Sequence, residues 1–484
     1  DLEGVAGDKI AKHLVRLLDD DRVRSLGKER ALQLIGVHGD RLCEYACVQR
    51  NFKVLKWARN ELDLPWAQYP AEPVNDDILV LRMLRAMYPE LQERWPEASR
   101  PEDWEEVTIE NGRVVQLVLE NVGLTGALPA EIGQLTSLRL LRLGDNKLTS
   151  LPAEIGRLTL LRAFGLLDNQ LTSLPAEIGQ LTSLGSLYLS DNQLTSLPAE
   201  IGQLTSLMTL DLWDNQLTSL PAEIGQLKSL EWLGLYNNQL TSLPAEIGQL
   251  TLLEHLNLGG NQLTSLPVEI GQLTLLEHLA LYDNQLTSLP AEIGQLTSLK
   301  ELWLNDNQLT SVPVEIWQLT SLRELDLRLN HLTGAVPAEI GQLTLLEELD
   351  LGGNQLTGAV PAEIGQLTSL RELDLGGNQL TIFPAEIGQL ISLQVLQIYC
   401  NKLTRVPAEV GQLTLLKKLD LRDNQLTSVP AEVGQLTLLK ELNLRDNRLT
   451  SVPAAIRELR AAGCCVYLDD GVTYDIRSYM RAHG

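Results

Sequence analysis

Rings are scarce in this 484-residue chain: phenylalanine, tryptophan and tyrosine together make up 4% of it, yet 44% of the residues are hydrophobic. Its core must therefore be aliphatic, and leucine supplies it. No apolar run approaches the ~20 residues that a membrane-spanning helix needs. Basic residues are outnumbered, 39 against 63 acidic, and the formal charge of −24 excludes nucleic acid as the main partner, because phosphate neutralisation needs a clustered basic face. Cysteine is limited to Cys43, Cys47, Cys400, Cys464 and Cys465, an odd number that predicts free thiols in a reducing, cytoplasmic compartment. The absence of any Asn-x-Ser/Thr sequon points the same way. There is no phosphate-cradling glycine loop, nucleophile elbow or metalloprotease helix motif, so neither catalysis nor a cofactor is expected.

What the chain has in abundance is one repeated stretch. A copy runs from Leu194 to Gln216, and alignment on Leu-x-x-Leu-x-Leu-x-x-Asn places asparagines at 146, 169, 192, 215, 238, 261, 284, 307, 330, 354, 378, 401, 424 and 447. Val122 holds that place in a leading, imperfect copy, which gives about fifteen units over 112–453. Most spacings are 23 residues; the extra residue of the longer units enters at Thr125-Gly-Ala, Thr333-Gly-Ala and Thr357-Gly-Ala. A fixed period of this length marks a solenoid, in which each unit buries its apolar face only against its neighbours.

These motifs resemble the leucine-rich repeat family, and Leu-Pro-Ala-Glu-Ile-Gly-Gln-Leu is similar to its intracellular Ras-group and plant-type subgroups. The resemblance implies an α/β solenoid: a leucine-rich repeat horseshoe with a parallel concave sheet, an N-terminal helical cap and a short C-terminal cap. The residues agree physically. In Leu207 to Asn215 the Leu-x-Leu core has the period of two of a strand, leucines inward and the residues between them outward. The returning segment begins at a proline suited to a first helical turn, and short helical or 3₁₀ segments should follow. The ladder asparagine is expected to satisfy backbone groups that stacked turns would bury unpaired. The glutamate of Pro-Ala-Glu-Ile recurs fourteen times, Glu131 to Glu432, as a solvated outer face.

Residues 1–101 form a helical N-terminal region in this reading, with Ile10, Leu14, Leu17 and Leu18 at helical spacing, and again Ile78, Leu81, Met83, Leu84 and Met87. Residues 39–64 resemble one ankyrin-type helical hairpin, and Cys43 and Cys47 on it are expected to be buried apolar residues. An entry cap follows at 102–124; Trp104 to Leu119 and Leu124 to Pro129 look like the start of plant-type leucine-rich repeat domains, without their cysteine pair. A C-terminal cap is placed at 454–484, with Cys465 to Leu468 as a last degenerate strand.

The scaffold positions hardly vary, so the outward strand positions carry the information. They form three columns on the concave face and divide into two zones. Tyr188, Trp213, Trp232, Tyr236, Tyr282 and Trp303 form an aromatic patch; Glu301, Glu324, Asp326, Glu348, Asp350, Glu372 and Asp374 form an acidic strip. Like charges stacked ~4.8 Å apart are unfavourable unless a cation relieves them. Rings flanked by carboxylates suit a basic, amphipathic protein or peptide. The plain alternative is a solvated sheet, its strip partly neutralised by Lys300, Arg323 and Arg371. His255 and His278 share a column in adjacent repeats, a weak pointer to metal with Glu301 next to them. Trp317 replaces the glycine of Glu-Ile-Gly-Gln and is expected to pack on the neighbouring turn.

The function expected is a non-enzymatic protein–protein interaction scaffold that takes a basic or amphipathic protein partner on its concave face, in intracellular signalling or immune-type sensing. Two other readings stay open: the substrate-recognition arm of a larger signalling or ubiquitin-ligase assembly, and an ice-binding ladder built from the repeated Leu-Thr-Ser hydroxyls.

Overall fold

The computed structural model describes residues 76–96 and 99–475, and the chain divides into two compact units at Leu194 and Thr195. The ankyrin-like segment, Cys43, Cys47 and the first apolar stripe at Ile10 to Leu18 lie outside the described residues.

In the first unit, the helical spacing of Ile78 to Met87 produces the helix Asp76–Met87, which buries Leu79, Val80, Leu81, Met83 and Leu84. Asp77, itself fully buried, accepts hydrogen bonds from Arg113 Nε (3.0 Å) and the Val114 amide (2.9 Å), tying the helix start to the next element. A second helix, Pro89–Arg94, leads to Trp95, whose indole stacks on that of Trp104, 4.9 Å between centroids and 5° from parallel. Two of the chain's few rings are thus consumed as structure. Strands Val107–Glu110 and Arg113–Val118 then form an antiparallel hairpin. Its turn is Asn111-Gly112, with φ of 51° and 74°, the left-handed pair that a two-residue hairpin turn requires. The hairpin's second strand pairs in parallel with Leu140–Arg142, which is followed by Ala163–Gly165 and Ser186–Tyr188.

The second unit is a run of parallel three-residue strands, one per repeat, from Thr209–Asp211 to Glu441–Asn443 and the closing Cys465–Tyr467. Register is strict: His255 pairs with His278, His278 with Glu301, and Glu301 with Glu324. The central leucine of each strand points inward and is buried, as at Leu210, Leu233 and Leu302. The residues on either side face outward; most are half-buried, while Glu348 and Glu372 are exposed and Gly234, Ala280, Asp420 and Asn443 are buried.

Between strands the chain returns through a 3₁₀ helix over Ala-Glu-Ile-Gly-Gln, for example Ala245–Gln249. The proline sits one position earlier than the sequence pattern implied: Pro244 is the N-cap, with φ −69° and ψ 148°, not the first helical residue. The glycine of this segment is a contact requirement. A methyl group built on Gly225 would fall 2.5 Å from the carbonyl oxygen of Glu246 in the next repeat, so adjacent turns stack without room for a side chain. The same stacking leaves Glu246 half-buried, less solvated than an outer-face charge was expected to be.

The ladder asparagines are buried and bridge repeats. Asn238 donates from Nδ2 to the carbonyls of Leu212 (2.9 Å), Leu235 (3.1 Å) and Tyr236 (3.3 Å), and its Oδ1 accepts from the Leu217 amide (3.0 Å). The residue before each asparagine adopts a left-handed conformation, usually as Asp, Asn or Gly. Leu329 and Cys400, both with φ of 53°, are the departures among the described residues. After the last 3₁₀ segment an α-helix, Ala454–Ala461, buries Ile456 and Leu459, and strand Thr473–Asp475 pairs with Ser451–Pro453.

Candidate functional site on the open sheet face

The outward columns of the second unit place the aromatic and acidic residues on consecutive strands of one sheet face. Tyr188 lies in the first unit, on strand Ser186–Tyr188, and is half-buried there.

The aromatic residues are not equivalent. The indole of Trp213 covers Gly234, and the ring of Tyr282 covers Gly259, where an added methyl would fall 2.5 Å from the ring. Tyr236 meets Trp213 edge-on at 6.4 Å and Tyr282 at 5.8 Å. These three rings lie down on the sheet wherever a glycine leaves space. Trp232 instead begins a stack. Its indole lies 4.7 Å from His255, whose imidazole lies 4.3 Å from His278 and 7° from parallel. Burial, and after it the neighbouring His278, holds His255 below the ordinary histidine range. The two histidines therefore present ring faces to each other rather than converging lone pairs, and no group of three or more metal-ligating side chains occurs among the described residues.

The stack ends in the acidic zone. His278 Nδ1 lies 2.7 Å from Glu301 Oε2, and Trp303 Nε1 donates to Glu324 Oε2 at 3.3 Å. Beyond them, Asp326, Asp350 and Asp374 stand in register on three adjacent strands, as do Glu324, Glu348 and Glu372. Each aspartate turns Oδ1 back to the amide two residues on: Arg328 at 3.0 Å, Gly352 at 2.8 Å and Gly376 at 2.7 Å. Burial, opposed by these amides, pushes the carboxyls of Asp326 and Asp374 up to about 6, and Asp350 is raised for the same reason. Glu348 is raised by burial and then by Glu324 and Glu372 on either side.

Lys300, Arg323 and Arg371 do not neutralise this strip. Lys300 binds Glu277 at 2.6 Å, while Arg323 and Arg371 clamp Glu347 at 2.7 Å and 3.0 Å. The internal cation of the strip is Arg328, whose guanidinium reaches Asp326 (3.4 Å) and Asp350 (3.8 Å); Gln397 Nε2 donates to Asp374 at 2.7 Å. Arg328 stands two residues beyond Asp326 in the third outward column, and the register of Asp326 with Asp350 was the signal available in the sequence for assigning it to the strip. Gly352 and Gly376 hold the next two places in that column, so neither place supplies a basic side chain to the carboxylates. A recess of about 290 Å³ remains, walled by Trp303, Glu324, Asp326, Glu348, Asp350, Glu372 and Asp374.

Comparison with known proteins agrees with this architecture. Models of the leucine-rich repeat region match residues 224–335 and 327–420, a two-copy leucine-rich repeat model matches 414–457, and a single-repeat model matches 183–204 and 206–227. No curated protein matches the sequence. Among solved structures, a leucine-rich repeat protein of Leptospira interrogans is 43% identical over 72% of this chain and 94% of its own, with a TM-score of 0.61. The plant peptide hormone receptor RGFR1, solved in complex with RGF2, is 30% identical over 73% of this chain and 67% of its own, TM-score 0.58. An internalin of Listeria monocytogenes shares the fold at 24% identity, over 72% of this chain and 89% of its own, with a TM-score of 0.53. Strand, 3₁₀ turn and buried asparagine, repeated in register and matched by these relatives, make this chain a member of the leucine-rich repeat family and hence an interaction scaffold built as a solenoid.

Proposed function

We propose that the open sheet face of the second unit binds a basic, amphipathic protein or peptide, with its cationic side chains over the strip from Glu324 to Asp374 and its apolar side chains on Trp232, His255, His278 and Trp303. The observation that carries this reading is the recess: registered carboxylates with one internal arginine, bordered by an exposed-edge tryptophan. A guest guanidinium or ammonium there takes a place between Asp350 and Asp374 like the one Arg328 holds between Asp326 and Asp350. The complex of RGFR1 with RGF2 supports a peptide-sized guest by analogy, since that relative is 30% identical. We place the protein in the cytoplasm, as a sensing or signalling scaffold without catalytic chemistry; Cys400, Cys464 and Cys465, all free thiols, accord with a reducing compartment. No helix among the described residues is long and apolar enough to cross a membrane.

The test is selection of binders from a random peptide library on the wild type and on a variant with Glu324, Asp326, Glu348 and Asp350 changed to their amides. The reading expects peptides rich in Arg or Lys beside an aromatic or aliphatic residue, weakened by salt and lost on the variant. Selected peptides without basic residues, or equal retention by the variant, overturn it.

A further inference from the structure

A second recess, on the 3₁₀-turn side of the chain, arises where the repeat pattern breaks. Every other described repeat has a small residue under the following turn, because the glycine of Glu-Ile-Gly-Gln abuts the glutamate of the next repeat. Gly294 shows the rule: an added methyl would fall 2.6 Å from Glu315 Cβ. At 317 the side chain is an indole. Trp317 is only 4% exposed, so it is inserted between turns and does not project into solvent. The following unit carries an additional residue, in the loop where Gly334 takes φ 82°. Two consequences are visible. Glu339, whose equivalents Glu246, Glu292 and Glu363 are half-buried against a glycine, is exposed. A half-open cavity of about 260 Å³ lies between the turns, walled by Val312, Trp317, Leu332, Val336 and Leu356, with Glu339 among its lining residues.

We infer that this cavity is a binding site for a small aromatic amine. An apolar cavity on the order of 150 Å³ takes benzene, so this one has room for a bicyclic ring. Trp317, although only 4% exposed, forms part of the apolar wall. The carboxylate of Glu339 is the one charged group among the lining residues, and it selects a cation over an anion. The site is separate from the open sheet face and stands whether or not that face binds a peptide.

The probe is tryptamine, titrated by calorimetry against the full chain, with indole-3-acetate as its charge-reversed counterpart. The expected result is saturable one-to-one binding of tryptamine and at least tenfold weaker binding of indole-3-acetate. Glu339→Gln should remove most of that preference. Trp317→Gly, which restores the residue of the other repeats, should close the cavity and cost at least tenfold in affinity. Val312→Trp, which fills the mouth and leaves the wedge in place, should do the same. The inference is overturned if the wild type shows no saturable binding, if both cavity variants bind tryptamine as the wild type does, or if Trp303→Ala on the open sheet face abolishes the binding instead.

Discussion

His278 Nδ1 lies 2.7 Å from Glu301 Oε2, so the last ring of the Trp232–His255–His278 stack is joined to the first carboxylate of the acidic column. The aromatic and acidic zones are thus one continuous surface, and the strict register of adjacent strands makes them so.

The histidine stack has a readable titration. His255 is held below 6.5 by burial and then by His278, and a folded-state pKa below the unfolded one means that the unfolded chain binds more protons as pH falls through that range. The contribution of His255 to stability should therefore decline on acidification below its ordinary range. By NMR, His255 should titrate below 6.5 in the wild type and nearer to it in His278→Ala. An unmoved His255 in that variant would dissolve the coupling.

The aspartate column works in the opposite direction. Asp326 and Asp374 are raised to about 6 in the folded protein, so folding takes up protons between roughly pH 4 and 6, and stability from these groups is lost as pH rises through 6. Changing Asp326, Asp350 or Asp374 to Asn keeps an oxygen for the amide two residues on. The change at Asp326 or Asp374 should stabilise the protein at pH 7.5, on the order of 1 kcal/mol after allowance for partial exposure, and by less at pH 5; that at Asp350 should act in the same direction. Denaturant unfolding at the two pH values checks this, and equal effects at both would refute it.

The ladder asparagine offers a larger effect. Asn238→Ala strands the buried Leu217 amide, while the carbonyls of Leu212 and Leu235 keep a second donor in Asn215 and Asn261. With about 1–3 kcal/mol for a buried polar group left unpaired, the variant should lose about that much. Its unfolding should also become less cooperative, because coupling between repeats is what makes a solenoid melt as one body. Hydrogen exchange localised to the repeats around 238 is the measurement.

At Cys400 the backbone holds a left-handed conformation that costs an ordinary side chain about 1–2 kcal/mol. Asn tolerates it better, and Asn237, in the equivalent position, hydrogen-bonds Asp214 as the Cys400 thiol does Asp423. Cys400→Asn should raise stability by about 0.5–1 kcal/mol in thermal melts. A loss would mean that the thiol contributes more than the strain removes.

Gly225→Ala should cost about 1–3 kcal/mol, the range of an overpacked core, since its methyl meets the Glu246 carbonyl at 2.5 Å. A neutral result would show that neighbouring turns slide freely, and would remove the reason why Trp317 opens a cavity.

The repeat, its strand, its buried asparagine and the columns on the sheet face were legible in the sequence by itself, because a fixed period forces equivalent residues into equivalent environments. Once one Leu-x-Leu faces inward, all do, and the outward residues line up without further information. Tertiary structure alone decided what the outward side chains do with one another. Arg323 and Arg371 turn to Glu347 while Arg328 reaches the aspartates, a choice made by side-chain reach across ~4.8 Å strand spacings and not by sequence separation. The rings of Trp213 and Tyr282 lie flat because Gly234 and Gly259 on the facing strands leave space. Trp317 reads in the sequence as a single departure from glycine. Only the contact between stacked turns, too close for any side chain, shows that this departure must move the next repeat and open a cavity.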